Sequence, residues 1–313
     1  MTKIDMRDAF FEKLVEAARL DDRIIVLSAD HGAFALKKFE EEMPDRYINI
    51  GIAEQNMVGV AAGLAASGKI VFIYGISPFV SLRVLEQLTI DVAAMQLPVN
   101  VISVGAGFTY STDGPTHQGL QDISAVATIP GMTILNSSDP VNTRAFVEMA
   151  ISSEKPHYIR IEKEKLIEFA ANDNTEKLKM EGHSRLNKND SKISIIATGL
   201  LSHLALDVAT DFFNTDGVEI AVVDVFQIKP LTQNLVSLLN SFDKVIVLEE
   251  SYKSVLASEL ALHILDRNLE IRLSVVACGE HFMFKGSSRD DMARDAGLSK
   301  EMIVNAITEI LER

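Results

Sequence analysis

The sequence predicts an α/β fold made of two consecutive open α/β domains with mostly parallel sheets. Short apolar runs rich in Val and Ile alternate with helical patterns along the chain, and this alternation is typical of parallel sheets covered by helices on both faces. A polar stretch without a strong period, AANDNTEKLKMEGHSRLNKND, separates two such series. We therefore predict a first domain at residues 1–168, a linker at 169–190 and a second domain at 191–313.

The individual elements follow from apolar periodicity and from capping residues. In the first domain, strands are predicted at residues 23–27, 47–50, 70–74, 99–104, 132–135 and 157–162. In the second domain, strands are predicted at residues 192–199, 218–225, 243–250 and 271–278. Helices are predicted to begin near Asp5 and after Asp139, and to cover about 77–95 and 300–311.

Composition excludes several classes of function. The net charge of −14 argues against nucleic acid or an anionic membrane as the main partner, although it permits anionic small substrates. The single cysteine, Cys278, rules out an intrachain disulfide and fits a reducing compartment. The N-terminus lacks an apolar signal core, and no apolar run reaches the length of a membrane span. We expect a cytoplasmic protein.

A carboxylate opens an unusually apolar helix in the stretch NIGIAEQNMVGVAAGLAASG. Such a helix is expected to be buried nearly all round, and Gly59 and Gly63 would let another backbone approach closely. The helix N-terminus favours the ionised form of Glu54, whereas apolar burial favours the protonated form. Glu54 is therefore either a proton-transfer residue or simply a cap of its own helix.

A second stretch with candidate functional residues, VGAGFTYSTDGPTHQGLQ, follows a predicted strand. Open parallel sheets bind ligands beyond the carboxyl ends of their strands, so Asp113 and His117 could contact a ligand there. The alternative is an ordinary Asp-Gly turn with a hydrogen-bonded histidine. Asp30 ends the first strand and faces the same crevice. Arg160 lies in an apolar run, where its charge needs either an anionic ligand or a salt bridge. No metal-ligand cluster, dinucleotide-binding GxGxxG or GxSxG motif is present in the sequence.

Several motifs in one order carry a resemblance to a known family. GIAEQNMVGVAAGLA, LPVNVISVGAG, DGPTHQGLQD, IPGMTIL and SSDP resemble the pyrimidine-binding domain of transketolase and of deoxyxylulose-phosphate synthase. IATGL, VVDVFQIKPL and VLEES resemble the C-terminal domain of the same family. The family binds the diphosphate and Mg²⁺ of thiamine diphosphate through a Gly-Asp-Gly segment and an Asn, which this sequence lacks. The chain thus resembles the C-terminal subunit of a split transketolase.

The resemblance implies a cofactor, a partner and a set of site residues. The cofactor is thiamine diphosphate, the Mg²⁺ ligands lie on a separate N-terminal subunit with none on this chain, and the assembly holds two of each chain. Glu54 activates the cofactor through its aminopyrimidine ring, and His117 contributes to catalysis. The implied cofactor-binding residues are Glu54, Phe79, Asp30, Ile52 and Arg83, and the implied substrate-binding residues are His117, Asp113, Arg160 and Arg7.

The implied reaction is the transfer of a two-carbon ketol unit from a ketose to an aldose. One departure from the family concerns the substrate: phosphosugar transketolases carry a phosphate-binding His where this sequence has Gly105. The sugar is then either unphosphorylated or has its phosphate held elsewhere. Three alternatives stay open: the β subunit of a 2-oxo-acid dehydrogenase, a deoxyxylulose-phosphate-synthase-like carboligase, and an inactive scaffold subunit.

Overall fold

The structure, a computed structural model, describes residues 2–172, 174–252 and 255–312. The strands are β1 (Ile4–Asp5), β2 (Ile24–Ser28), β3 (Tyr47–Asn49), β4 (Ile70–Ile76), β5 (Val99–Val104), β6 (Thr133–Asn136), β7 (His157–Ile161), β8 (Lys165–Leu166), β9 (His183–Arg185), β10 (Ile193–Ala197), β11 (Ala221–Val225), β12 (Gln227–Lys229), β13 (Lys244–Tyr252) and β14 (Arg272–Cys278). The α-helices are α1 (Met6–Ala18), α2 (Phe34–Glu42), α3 (Glu54–Ala66), α4 (Leu85–Gln87), α5 (Asp122–Ala127), α6 (Pro140–Ser152), α7 (Thr175–Glu181), α8 (Leu201–Asp216), α9 (Gln233–Leu239), α10 (Val255–Asp266), α11 (Arg289–Asp295) and α12 (Lys300–Glu312). No helix in these residues is both long and apolar enough to cross a membrane.

The first domain is built on a seven-stranded sheet in the order β12-β6-β7-β5-β4-β2-β3. Its strands run parallel except β12, which pairs antiparallel with β6. Strands β2 and β5 are buried along their whole length because helices cover both faces of the sheet. Asp5 and Asp139 cap α1 and α6 as the sequence predicts.

The second domain is built on a five-stranded sheet in the order β14-β13-β10-β11-β9. Strands β10, β11, β13 and β14 run parallel, and β9 closes one edge antiparallel to β11. The predicted fold class, two mostly parallel α/β domains, is confirmed.

The predicted linker, residues 169–190, contains regular structure. Asn174 caps α7, Gly182 ends that helix in a left-handed conformation, and β9 then joins the second sheet. Short polar elements give no strong hydrophobic period, which is why the sequence pattern missed them. Asp173 lies outside the described residues, and the exact division between the domains stays a prediction.

The continuous helix predicted for residues 77–95 is wrong. A turn occupies the first residues, where the Ser81 hydroxyl donates to the Ser77 carbonyl at 2.6 Å. A 3₁₀ turn at Leu82–Val84, the short α4 and a π-helical segment at Leu88–Ala93 follow. Local side-chain bonds of this kind compete with regular helix. The irregular start holds Phe79 and Arg83 near the carboxyl ends of the strands.

Helix α3 is not buried all round by the described residues. Met57, Val58 and Ala61 are buried against the first sheet, whereas Gly59 and Gly63 are exposed and a Cβ on either would meet no atom within 4 Å. The sequence pattern showed the apolar character of the whole helix, but this chain covers only part of its surface.

A buried carboxylate joins the two domains. Asp224 on β11 is fully buried and accepts hydrogen bonds from the hydroxyls of Ser138, in the first domain, and Ser202. Burial raises the pKa of Asp224 from its ordinary 3.8 to about 7, against the effect of these two hydrogen bonds.

We expect Asp224→Asn to remove a pH dependence of stability. Because the pKa of Asp224 is raised in the folded state, its contribution to the free energy of unfolding is full below about pH 4 and is lost as the pH rises through about 7. In urea denaturation, the stability of the variant relative to wild type should therefore increase from pH 5 to pH 7 and level off above it. The same substitution at exposed Asp243 serves as the control. A difference between Asp224→Asn and wild type that stays constant across this range would contradict the prediction.

Candidate active site

The candidate site lies where neighbouring parallel strands of the first sheet end. Asp30 follows β2, Glu54 follows β3, Phe79 follows β4 and the loop of residues 105–121 follows β5. Carboxyl ends of parallel strands meet at one edge of a sheet and form the usual binding crevice of open α/β folds. The sequence prediction that Asp30 faces the same crevice as the loop of His117 agrees with the strand order β5-β4-β2-β3.

Glu54 is a buried carboxylate with a defined partner. It is the first residue of α3, only 3% of its surface is exposed, and its Oε1 accepts from Arg83 Nη1 at 2.7 Å. Within the described chain, no backbone N–H donates to this carboxylate, so the alternative of a simple helix cap is not supported. Its second oxygen accepts no hydrogen bond from these residues and is therefore available to a ligand.

Aromatic rings line the crevice beside Glu54. The Arg83 guanidinium lies 4.1 Å from the centroid of the Phe79 ring, on one face. His117 meets Phe79 edge-on with centroids 5.2 Å apart, and His31 lies 5.9 Å from it. A planar ligand that stacks on Phe79 must therefore use the face opposite Arg83 or displace the guanidinium.

His31, which with Asp30 ends the first strand and is expected from the sequence to face the crevice, is a residue to which the resemblance assigns no role. Its Nδ1 is buried and has no hydrogen-bond partner among the described residues. Burial lowers the pKa of His31, partly offset by the charges of Glu54 and Asp30. Burial therefore favours the neutral form of the ring. The position of His31 directly after Asp30, at the end of the first strand, is the sequence feature that indicates a crevice residue.

The loop that carries His117 is clamped from both domains. Gly107 and Gly119 exchange backbone hydrogen bonds of 3.0 and 2.9 Å, which closes the loop at its base. Gln118 Nε2 donates to the carbonyl of Met283 in the second domain at 3.2 Å. His117 Nδ1 hydrogen-bonds the Thr116 hydroxyl at 2.9 Å. The second domain thus fixes the loop that presents His117 to the crevice.

A buried ion-pair network, which we call the Arg289 clamp, supports the same loop. It consists of Arg289, Glu162, Glu250 and Thr109. Arg289 binds Glu162 at 2.8 Å and also pairs with Glu250. Thr109 donates to Glu162 at 3.0 Å, and Glu250 accepts from the backbone N–H of Phe108 at 3.3 Å.

Arg160, which the resemblance assigns to substrate binding, is buried beneath the loop. Its side chain is 2% exposed and pairs with Asp122 at 3.0 Å. It also donates to the carbonyls of Gly119 and Glu250. Asp122 in turn accepts from the Tyr158 hydroxyl at 2.9 Å. Arg160 is thus held by structural contacts beneath the loop, the salt-bridge alternative that its apolar surroundings left open.

The remaining predicted residues lie at or outside the crevice mouth. Asp113 is exposed in the turn before His117. Ile52 is 79% exposed, and Asp30 is exposed with a left-handed φ of 58°. Arg7 forms a 2.9 Å salt bridge with Asp5 and borders a cavity of about 390 Å³ beside residues 32–34. Among the described residues, no three or more His, Cys, Asp or Glu side chains form a group that could hold a metal ion.

The fold and the crevice together define a two-domain α/β protein that can present a carboxylate, an aromatic ring and a histidine to one ligand. The family model "Transketolase, pyrimidine binding domain" matches residues 2–168, and "Transketolase, C-terminal domain" matches residues 182–303. The chain belongs to the transketolase family, whose enzymes depend on thiamine diphosphate.

Similar proteins agree with the resemblance predicted from the sequence, which is confirmed. The chain is 32% identical over 311 residues to the 6-deoxy-6-sulfo-D-fructose transketolase subunit SqwH of Clostridium sp., covering 98% of this chain and 95% of the relative. It is 30% identical over 312 residues to an apulose-4-phosphate transketolase subunit of Phocaeicola vulgatus, covering 99% and 98%. A solved split-gene transketolase, described as an inactive beta4 tetramer, matches with a TM-score of 0.86 at 27% identity over 99% of both chains.

Proposed function

We propose that this chain acts with a separate N-terminal subunit as a thiamine-diphosphate-dependent transketolase that moves a two-carbon ketol unit from a ketose to an aldose. The observation that carries the proposal is Glu54: a carboxylate 3% exposed, with one oxygen held by Arg83 and the other available, beside Phe79 and His117. A buried acceptor next to an aromatic ring suits a planar heterocycle that carries a ring nitrogen.

These residues fit the pyrimidine end of thiamine diphosphate. When bound, the cofactor would supply the carbon nucleophile that carries the two-carbon unit. Glu54 would hold the proton on a ring nitrogen, Phe79 would orient the ring, and the surrounding buried side chains would exclude water. His117 would exchange a proton or hydrogen bond with a substrate hydroxyl, with Asp113 at the crevice mouth.

We assign the diphosphate and Mg²⁺ to the partner chain. The sequence lacks the family's Gly-Asp-Gly segment with its following Asn, and the two relatives named above are themselves called subunits. The exposed Gly59–Gly63 face of α3 is where we expect a second copy of this chain to pack in an assembly with two of each subunit, because small residues permit close helix contact.

The substrate of this chain is proposed to be a sugar with an anionic end group. The names of the two relatives specify a sulfo-sugar and a sugar phosphate. Gly105 offers no side chain to the anion, and Arg160 is paired with Asp122 beneath the loop, which favours another cation as the anion contact.

A transfer assay tests the proposal. The chain, purified with a candidate diphosphate-domain partner, is supplied with thiamine diphosphate, Mg²⁺, a ketose donor and an aldose acceptor. Products lengthened by two carbons are expected. Release of CO₂ from pyruvate or another 2-oxo acid without ketol transfer would instead support a dehydrogenase or synthase-like activity and overturn the proposal, and binding without turnover of any donor would support a scaffold.

A further inference from the structure

Tyr110 fills the space above the glycine that departs from the family pattern. Gly105 has a φ of 101°, and a Cβ built on it would overlap the Tyr110 ring. Tyr110 also meets His117 with ring centroids 6.2 Å apart. Since His117 contacts Phe79 as well, a continuous series of rings leads from Phe79, which lies under the Glu54 partner Arg83, to Tyr110.

Two cations lie around the Tyr110 ring. Lys163 Nζ is 4.9 Å from the ring centroid, a cation–π distance. Burial raises the pKa of the Tyr110 hydroxyl, and the charge of Arg7 opposes this shift. Arg7 is largely neutralised by its bidentate pairing with Asp5.

Of the two cations, Arg7 is paired with Asp5, whereas Lys163 has no carboxylate partner among the described residues. In this part of the chain, no carboxylate lies within 4.0 Å of its ammonium group. Neighbouring Glu164 lies 4.0 Å from Arg289. An exposed ammonium held over a ring keeps its donors free for an anion.

We propose that Lys163, positioned by the Tyr110 ring, is the specificity-determining residue that binds a tetrahedral oxyanion, phosphate or sulfonate, at the substrate end remote from the reacting carbonyl. The inference rests on the proposed function and names its substrate class. The Tyr110 ring occupies the space beside Gly105, and Arg160 is paired with Asp122. Lys163 would then supply the contact to the anion that neither of these positions offers.

A binding experiment on the full chain tests the site without turnover. Lysines are reductively ¹³C-methylated, which keeps their charge, and their NMR signals are followed while inorganic phosphate or methanesulfonate is added. The Lys163 signal, assigned by its loss in Lys163→Arg, should shift with saturation, while that of exposed Lys165 should not. Equal, unsaturated shifts of both signals would overturn the inference.

A kinetic experiment on the reconstituted pair separates the two anion sources. Lys163→Met should raise KM roughly tenfold for a phosphorylated or sulfonated substrate, with kcat unchanged, because one charge-assisted hydrogen bond is lost. Lys165→Met should change neither value, and a neutral sugar should be converted equally by wild type and Lys163→Met. The anion whose KM responds more strongly is the one recognised. An equal loss on the neutral sugar would overturn the inference.

Two variants of Tyr110, one that keeps the aromatic ring and one that removes it, test whether the ring positions Lys163. Tyr110→Phe retains the ring face and should keep the wild-type KM for the anionic substrate, whereas Tyr110→Leu should raise it. Equal effects of the two variants would contradict a role through Lys163. If the wild-type pair transfers no ketol unit at all, the proposed function fails, and the NMR titration still decides whether Lys163 binds an oxyanion.

Discussion

Glu54→Gln, assayed with the partner subunit and saturating cofactor, is expected to lower kcat by about 10²–10⁴-fold, the usual contribution of a general acid–base group. The amide keeps the size of the side chain and an oxygen that can accept from Arg83, which now lies 2.7 Å from Oε1. It cannot exchange the proton that the cofactor's ring requires. The loss should therefore appear in turnover, with little change in melting temperature.

Glu86→Gln is the matched control, because Glu86 is an exposed glutamate in the following short helix α4. It should retain wild-type turnover. Wild-type turnover in Glu54→Gln would reject Glu54 as the proton-transfer residue. A large drop in melting temperature for Glu54→Gln would instead show that the buried carboxylate is needed for folding.

Arg289→Met is expected to have the largest effect on stability, about 3–5 kcal/mol, because it leaves two buried carboxylates without their cation. Its partners Glu162 and Glu250 are 1% and 7% exposed, and Arg289 itself is 12% exposed. Burial favours the neutral form of the guanidinium, yet these two charges hold the pKa of Arg289 well above its ordinary value. Urea denaturation at pH 7 measures the loss.

The control for this variant is Arg294→Met on the same helix, α11. Arg294 is 60% exposed and pairs with Asp291 at the surface, and surface pairs contribute little. Equal free energies of unfolding for the two variants would contradict the stabilising role of the Arg289 clamp. Where Arg289→Met is too unstable to purify, Arg289→Lys retains one charge and should fall between wild type and that variant.

Elements with a strong local signal could be predicted from the sequence. Buried parallel strands such as β2 and β4 are nearly continuous apolar runs. Asp139 caps α6 by accepting from the Asn142 N–H, and its own backbone N–H donates in return to Asn142 Oδ1. The burial of a carboxylate at the start of α3 could also be anticipated, because the helix that Glu54 opens is almost entirely apolar. These features depend on neighbours in sequence.

Features that depend on distant partners could not be predicted in the same way. The sequence around Arg160 fits an anion ligand and a salt bridge equally well until Asp122 is seen 3.0 Å away. The Tyr110 ring over Gly105 depends on how the 105–121 loop folds back, which no periodicity reports. Strand β12, from the second half of the chain, joins the first sheet through a non-local pairing with β6.

Calorimetric titration of thiamine diphosphate with Mg²⁺, on this chain alone and on the chain purified with its candidate partner, tests the central claim most directly. The proposed split site predicts tight binding only to the pair, because this chain supplies the pyrimidine contacts and the partner supplies those to the diphosphate. Tight binding to this chain alone would contradict the placement of the diphosphate site on a second subunit.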